Sequence, residues 1–163
     1  MVKEILLLGN PGLYKVCEEV KKEDLHSIYE VVKDMHDTLI DFRTKHNAGR
    51  AIAAPQIGIF KRLVYMNTGS PVLFINPVLS ELSNDTFELW DDCMSFPDLL
   101  VKVKRHLSCR ISFKDIDWND QSLQLNESLS ELLQHEVDHL DGILAVARAI
   151  DSHAFALNSQ MNK

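Results

Sequence analysis

The sequence has few features of a secreted or membrane-bound protein. Its N-terminal segment, MVKEILLLGN, contains an apolar run of only four residues, 5–8, and no small-residue cleavage site follows it. No stretch approaches the roughly 18 consecutive apolar residues that a membrane-spanning helix requires. The three cysteines are an odd number at wide spacing, which does not indicate a disulfide framework. We therefore expect a cytoplasmic protein with no signal peptide and no membrane partner.

Basic residues are also few. The chain has 17 lysines and arginines against 24 aspartates and glutamates, which gives a formal net charge of −7. Nucleic-acid binding requires a basic surface that neutralises phosphates. We therefore expect no nucleic-acid partner, whereas the charge leaves small-molecule and peptide substrates open.

The apolar pattern of the first third of the chain predicts a long helix. A length of 163 residues suits one domain, 1–163. In residues 24–43 the apolar side chains recur at steps of three and four, which is typical of one buried helical face. Asp24 is expected to cap the N-terminus of this helix. The apolar positions are Leu25, Ile28, Val32, Met35, Leu39 and Phe42.

Later segments predict strands and a second helix. RLVYMN and PVLFINP are short β-rich runs bounded by turn residues. LSCRISFK alternates apolar and polar residues, and SLQL is its expected return strand after the turn DIDWNDQ. Residues 127–140 return to a helical pattern. The fold class is therefore α+β, with short, mostly antiparallel strands packed around the helices.

The segment QHEVDHLDG, residues 134–142, suggests a metal site on this second helix. His135 and His139 are four residues apart, about 40° around the helix, so both can reach one ion. Glu136 follows the first histidine, the position of a general base that acts on a water polarised by the ion. The leucines of the helix cluster on the opposite side. We therefore expect the histidines at the edge of its buried face.

A catalytic metal site needs a third protein ligand and an open position. Downstream of the helix, Asp141, Asp151 and His153 are available, but no second motif frames them. Upstream, Cys93 lies in ELWDDCMSFP, where turn-prone residues favour exposure of a thiolate. A lone cysteine is otherwise more often a small core residue, and this is our interpretation of Cys17 and Cys109.

Three stretches, taken in order, resemble the signature motifs of peptide deformylases. GRAIAAPQ (49–56), DDCMS (91–95) and QHEVDH (134–139) match G-x-G-x-A-A-x-Q, E-G-C-x-S and Q-H-E-x-D-H in order and spacing. The resemblance extends over about residues 1–149. It implies the peptide deformylase fold, built around a central helix that carries the metal. It also implies a metal-dependent hydrolase that removes the N-formyl group from formyl-methionyl peptides during N-terminal processing of nascent chains.

The resemblance also assigns roles to individual residues. The metal ligands would be Cys93, His135 and His139, holding one divalent ion per chain, Fe(II) by preference, with Zn, Ni or Co as alternatives. The catalytic residues would be Glu136 as general base and two oxyanion donors, the Gln56 side chain and the Met94 backbone N–H.

The resemblance further implies a supporting shell and a substrate segment. Asp138 would support the ligands and pair with Arg105. Ala53, Ala54 and Pro55 would lay the substrate beside the metal.

Four departures from the family pattern concern the substrate. Ala51 replaces the second glycine of the first motif, and Asp91-Asp92 replaces Glu-Gly, which adds a negative charge beside Cys93. Arg50 and Glu131 replace apolar residues in the pocket for methionine. They are either solvated surface charges or a pair across a narrowed, more polar pocket that prefers another first residue.

Alternative functions therefore stay open. The same fold and metal site suit a hydrolase of a different N-formyl substrate, or a non-catalytic metal-binding paralogue. A metallopeptidase is less favoured, because the third-ligand motif that it would need is missing downstream of the helix. The C-terminal segment DSHAFALNSQMNK is short and barely basic, so we do not expect ribosome docking through it.

Overall fold

The computed structural model describes residues 1–161, in which eight strands and three helices are found. The strands are β1 Ala51–Ala53, β2 Leu63–Asn67, β3 Pro71–Ser80, β4 Thr86–Asp91, β5 Leu99–His106, β6 Ser108–Lys114, β7 Asp120–Asn126 and β8 Phe155–Leu157. The helices are α1 Leu25–His46, α2 Glu127–Leu140 and α3 Asn158–Met161, and four short 3-10 helices join them. Asn162 and Lys163, which belong to the predicted domain and the C-terminal segment, lie outside the described residues.

The strands form two antiparallel sheets. The larger has the order β1-β2-β3-β6-β7, and the smaller has the order β4-β5-β8. All named pairs are antiparallel, as expected from the short runs and turn signals. The α+β fold class is thus confirmed.

Helix α1 begins and ends close to the predicted bounds. Its apolar stripe packs against the larger sheet, with Ile28, Met35 and Leu39 buried. The predicted cap was wrong, because residues 22–24 form a 3-10 turn and Asp24 is already helical. Its carboxylate instead accepts a hydrogen bond from the backbone N–H of Lys21, at 3.0 Å.

Four strands were not predicted: β1, β4, β5 and β8. In β5 the buried positions are Val101, Val103 and Arg105, so a cation occupies a place where alternation leads one to expect an apolar side chain. β4 carries Glu88 and Asp91 in six residues, a composition that is not typical of strands. β4 pairs with β5 over its full length, and tertiary pairing therefore outweighs local propensity here.

Helix α2 has the predicted bounds but a different environment. The sequence places its histidines at the edge of a buried face; in the structure every residue from Ser130 to Leu140 is buried. The helix contacts β1 and β7 of the larger sheet and β5 of the smaller one. The small sheet thus covers the side that the helical pattern leaves for solvent. Leu129, expected on the apolar side, is 39% exposed.

The side chain of Gln134, on α2, forms hydrogen bonds with the backbone at the end of β5. Its Oε1 accepts a hydrogen bond from the backbone N–H of His106 at 3.0 Å, and its Nε2 donates to the carbonyl of His106 at 2.9 Å. The amide also donates to the Ser130 hydroxyl. One side chain therefore satisfies both backbone groups of a strand end.

We expect Gln134→Leu to lower the free energy of unfolding by about 1–3 kcal/mol, because it removes the partner of the His106 N–H and leaves the His106 carbonyl with the Ser130 hydroxyl alone. Urea unfolding followed by circular dichroism measures the change. Gln124→Leu, on the exposed face of β7, is the control and should change stability by less than about 0.5 kcal/mol. Equal effects of the two substitutions would contradict this role.

The other two cysteines lie in the core. Cys17 and Cys109 are buried free thiols. Burial raises the pKa of Cys17 to about 11 and also raises the pKa of Cys109, so both stay protonated.

None of the helices in residues 1–161 is long and apolar enough to cross a membrane.

Candidate metal centre

Three potential ligands converge between the two sheets. Cys93 follows the end of β4, while His135 and His139 come from consecutive turns of α2. The ligand atoms of all three lie within 4.8 Å of one another, and all three residues are buried. Cys93 Sγ lies 3.3 Å from His139 Nε2, which lies 3.1 Å from His135 Nε2. The fold thus brings together a cysteine and two histidines that are more than 40 positions apart in the sequence.

The donor set fits a divalent transition metal. One thiolate and two imidazoles suit Fe, Zn, Co and Ni. Tetrahedral bonds of about 2.1 Å to nitrogen place two nitrogen ligands about 3.4 Å apart, close to the observed 3.1 Å between the two Nε2 atoms. Three such atoms provide three of four positions, which leaves one position for a water or substrate oxygen.

Asp91 fixes the orientation of the first histidine. Its Oδ2 accepts a hydrogen bond from His135 Nδ1 at 2.9 Å, so Nε2 is the ring atom directed at the centre of the cluster and the one that would bind an ion once it is deprotonated. Asp91 is also buried and is paired with Arg105 at 3.3 Å. The sequence suggested only that a carboxylate here would oppose the thiolate. Sequence reasoning did not predict its contact with His135, although an acidic residue two positions before Cys93 is visible in the sequence and could have indicated a partner for a histidine ligand.

The two imidazoles differ in their electrostatic environment. Burial lowers the pKa of His135, but the neighbouring Asp91 and Cys93 outweigh it and raise this pKa well above the usual value. Burial, together with the charge of His135, lowers the pKa of His139 well below the usual value. His139 is therefore neutral at physiological pH, the form that binds a metal.

Glu136 is a buried carboxyl beside the cluster. Burial raises its pKa to about 7. Its Oε2 is buried and has no hydrogen-bond partner in the part of the chain that the structure describes. Glu136 lines the same cavity as Cys93 and His135. It can therefore exchange a proton near neutral pH with a molecule in that cavity.

Gln56 and Ser95 complete the wall around the thiol. Gln56 lies in the 3-10 helix Ala54–Ile57, and its Oε1 accepts a hydrogen bond from the Ala53 N–H at 2.9 Å. This contact directs Nε2 toward Ser95 Oγ at 3.2 Å and Cys93 Sγ at 3.6 Å. The N–H of Ser95 points at the same sulfur from 3.5 Å. Sequence reasoning did not single out Ser95.

Asp138 is the centre of a second, largely buried group of charges. It accepts a hydrogen bond from Arg105 Nη1 at 2.6 Å, the pairing expected from the sequence. Arg148, which the sequence did not indicate, adds two hydrogen bonds to Asp138, at 2.6 and 2.7 Å. Since Arg105 also contacts Asp91, a chain of ion pairs links the small sheet to His135.

A cavity of about 170 Å³ opens beside the metal cluster. One wall carries the ion pair formed by Arg50 Nη2 and Glu131 Oε1, 2.5 Å apart. The Glu131 side chain is only 7% exposed, so its interpretation as a solvated surface charge was wrong. The paired arrangement is the one found. The remaining lining includes Phe42, His46, Pro97, Leu100 and Leu132.

The first motif fits the structure with alanine at position 51. Ala51 lies in β1 without a positive φ, so its methyl group causes no backbone strain. It packs in the core and borders the cavity. Gly49, in contrast, has a φ of +113°, and a Cβ there would lie 3.3 Å from Leu39 Cδ1. Glycine is therefore needed at 49 but not at 51.

Other candidates from the sequence lie elsewhere. Asp141 pairs with Arg62 at 2.6 Å, and His153 is exposed and donates its backbone N–H to Asp151. Among the described residues, the one cluster that can hold a metal is that of Cys93 and the two histidines. Asp92 is exposed and borders the cavity, whereas Asp91 is buried.

Comparisons with known proteins give one consistent result. A family model described as polypeptide deformylase matches residues 2–154. Peptide deformylase 1 of Prochlorococcus marinus (strain MIT 9313) is 35% identical over 176 aligned positions, covering 98% of this chain and 87% of that protein. The crystal structure of peptide deformylase from Thermotoga maritima has a TM-score of 0.84 at 28% identity, covering 93% of this chain and 99% of that one. The Met-Ala-Ser-bound class I type b peptide deformylase from Acinetobacter baumannii has a TM-score of 0.83 at 27% identity, covering 91% and 98%.

Proposed function

The chain belongs to the polypeptide deformylase family, metallohydrolases that remove the N-formyl group from nascent peptides, and on this premise we propose that Cys93, His135 and His139 hold its metal. The convergence of these three buried ligands supports the proposal. We propose one ion per chain, with Fe(II) as the physiological metal and Zn, Ni or Co as substitutes. When bound, the ion supplies a Lewis acid that polarises the formyl oxygen and activates a water.

Glu136 is the proposed general base. The carboxylate takes a proton from the attacking water and later gives it to the amine that leaves as the C–N bond breaks. Formate and a peptide with a free amino terminus result. The observation that best supports this role is the buried, unpartnered Oε2 of Glu136 at the cavity, on a carboxyl whose pKa is about 7.

Gln56 and the backbone N–H of Met94 are the proposed oxyanion donors. The contact between Gln56 Oε1 and Ala53 N holds the amide with its N–H groups toward the thiol. No protein acceptor for the Met94 N–H is found within residues 1–161. The Gln56 amide is therefore oriented before a substrate arrives, and the Met94 N–H is available for a substrate acceptor; donors held in place in this way stabilise developing charge.

The substrate backbone is proposed to lie along β1. This strand pairs with β2 on one side and is the edge of the larger sheet, and its residue Ala51 borders the cavity. An extended peptide can add to such an edge through backbone hydrogen bonds. This arrangement brings the N-formyl end of the peptide to the metal ligands.

The domain organisation, compartment and partners of the enzyme are proposed from its length and charge. We infer one domain, 1–163, acting in the cytoplasm on N-formylated peptides. The net charge of −7 supports the absence of a nucleic-acid partner. We propose that it makes no contact with membranes and does not dock on the ribosome through its C-terminal segment.

Formate release tests the activity directly. Protein loaded anaerobically with Fe(II) is expected to release formate from N-formyl tripeptides of the form X-Ala-Ser, where X is varied. Protein stripped with a chelator is the control and should release none. A protein that holds one ion per chain but releases no formate from any peptide would instead be a non-catalytic metal-binding paralogue.

A further inference from the structure

The ion pair between Arg50 and Glu131 places charged groups in the wall of the substrate cavity. Arg50 lies beside β1, and Glu131 lies one turn before His135 on α2, so the pair forms part of the cavity wall next to the metal ligands. Arg50 is held further by Ser128, whose hydroxyl and carbonyl lie 2.8 and 3.3 Å from Nη1. The guanidinium is thus fixed by three contacts to α2.

Arg50 still has hydrogen-bonding capacity for a ligand. A guanidinium carries five N–H groups, and the three contacts to Ser128 and Glu131 occupy three of them. The Arg50 side chain is 41% exposed and borders the cavity. A side chain that enters the cavity beside Arg50 therefore meets N–H donors that water otherwise satisfies.

An apolar side chain is a poor occupant of such a wall. It removes water from the guanidinium and the Glu131 carboxylate without replacing the lost hydrogen bonds, which costs free energy. The thioether of methionine is only a weak acceptor. An uncharged side chain with an oxygen on its δ atom has the length of methionine and can accept a hydrogen bond from Arg50.

We propose that the Arg50–Glu131 pair selects N-formyl peptides whose first side chain is uncharged, of methionine length, and carries an oxygen acceptor on its δ atom. Glutamine and methionine sulfoxide share this chemistry. The sulfoxide is the form that arises from formyl-methionine by oxidation. The inference rests on the proposed deformylase function and specifies its substrate class.

Four matched peptides test the selection. N-formyl-X-Ala-Ser with X as glutamine, methionine sulfoxide, methionine or norleucine has the same chain length and differs in the δ atom. We expect kcat/KM at least about tenfold higher for the glutamine or the sulfoxide peptide than for the methionine and norleucine peptides. A higher kcat/KM for the sulfoxide peptide would identify oxidised formyl-methionyl peptides as the substrate. A higher kcat/KM for the glutamine peptide would identify peptides that begin with formyl-glutamine.

Variants connect the preference to the pair. The double substitution Arg50→Leu with Glu131→Leu should reverse the preference toward methionine and norleucine. Arg50→Gln with Glu131→Gln keeps the wall polar and should retain a preference for the oxygen-bearing peptides. Arg110 and Glu81 form an exposed pair at 3.1 Å on the larger sheet, and changing both to leucine is the matched control, which should leave the ratios unchanged.

Two outcomes would overturn the proposal. One is a wild-type kcat/KM for the methionine peptide equal to or above that for both oxygen-bearing peptides. The other is an unchanged preference in the Arg50→Leu/Glu131→Leu variant. Calorimetric binding of the four peptides to metal-loaded Glu136→Gln protein measures the preference without turnover, as ratios of dissociation constants. Failure of the deformylase function, seen as no formate from any peptide, is thus distinct from failure of the selection, seen as equal binding.

Discussion

Glu136→Gln is expected to lower kcat for formate release by about 10²–10⁴-fold, the usual contribution of a positioned general acid–base group. Glutamine matches glutamate in size but cannot take a proton from water or return one to the leaving amine. Because burial raises the pKa of Glu136 to about 7, the neutral amide also resembles the protonated carboxyl in polarity. The variant should therefore fold and bind metal as the wild type does.

The measurement is formate release at saturating peptide, together with the metal content of the same sample. Glu127→Gln, at the exposed start of the same helix, is the control and should keep full activity. A Glu136→Gln protein that holds one ion and retains more than about a tenth of the wild-type kcat would contradict the assignment, because that loss is smaller than a general base contributes.

Cys93→Ala is expected to abolish both metal retention and activity. Of the three ligands, the thiolate is the one that is anionic, and the two histidines alone leave an incomplete site. After dialysis the variant should hold far less than one ion per chain and release formate no faster than chelator-treated wild type. The metal that binds the folded wild type also raises its melting temperature, and this increase should be absent in the variant.

Cys109→Ala is the matched control for the thiol. Cys109 is buried on β6, and its Sγ lies 3.5 Å from the Ser130 hydroxyl rather than near a metal ligand. The control should retain one ion per chain. A Cys93→Ala protein with full metal content would show that the third ligand is another residue.

The parts of the site that share one helix could be predicted from the sequence. Two histidines four residues apart face the same way on any helix, and the bounds of α2 follow from its local pattern. Cys93 could be joined to them only through the family resemblance, because turn signals around a cysteine do not specify its partners. Its distance from the histidines depends on how β4 and β5 pair.

Burial could not be predicted from helical periodicity. The pattern of α2 describes one apolar face, whereas the structure buries every residue from Ser130 to Leu140, because arginines from elsewhere in the chain supply partners for its buried acids. Asp138 forms ion pairs with Arg105 and Arg148. Glu131 forms an ion pair with Arg50, which is 81 positions away in the sequence. A buried acid and an exposed acid look alike in a sequence until the paired cation is placed.

The short edge of the larger sheet also bears on self-association. A strand edge with unpaired backbone groups is a template for other chains, and long, flat edges promote aggregation. The edge strand beside the cavity, β1, has only three residues and runs directly into the 3-10 helix Ala54–Ile57. It offers pairing for a single short peptide and is too short to start a continuous intermolecular sheet. At this edge an unfolded nascent chain can thus pair through its backbone without starting a growing β-aggregate.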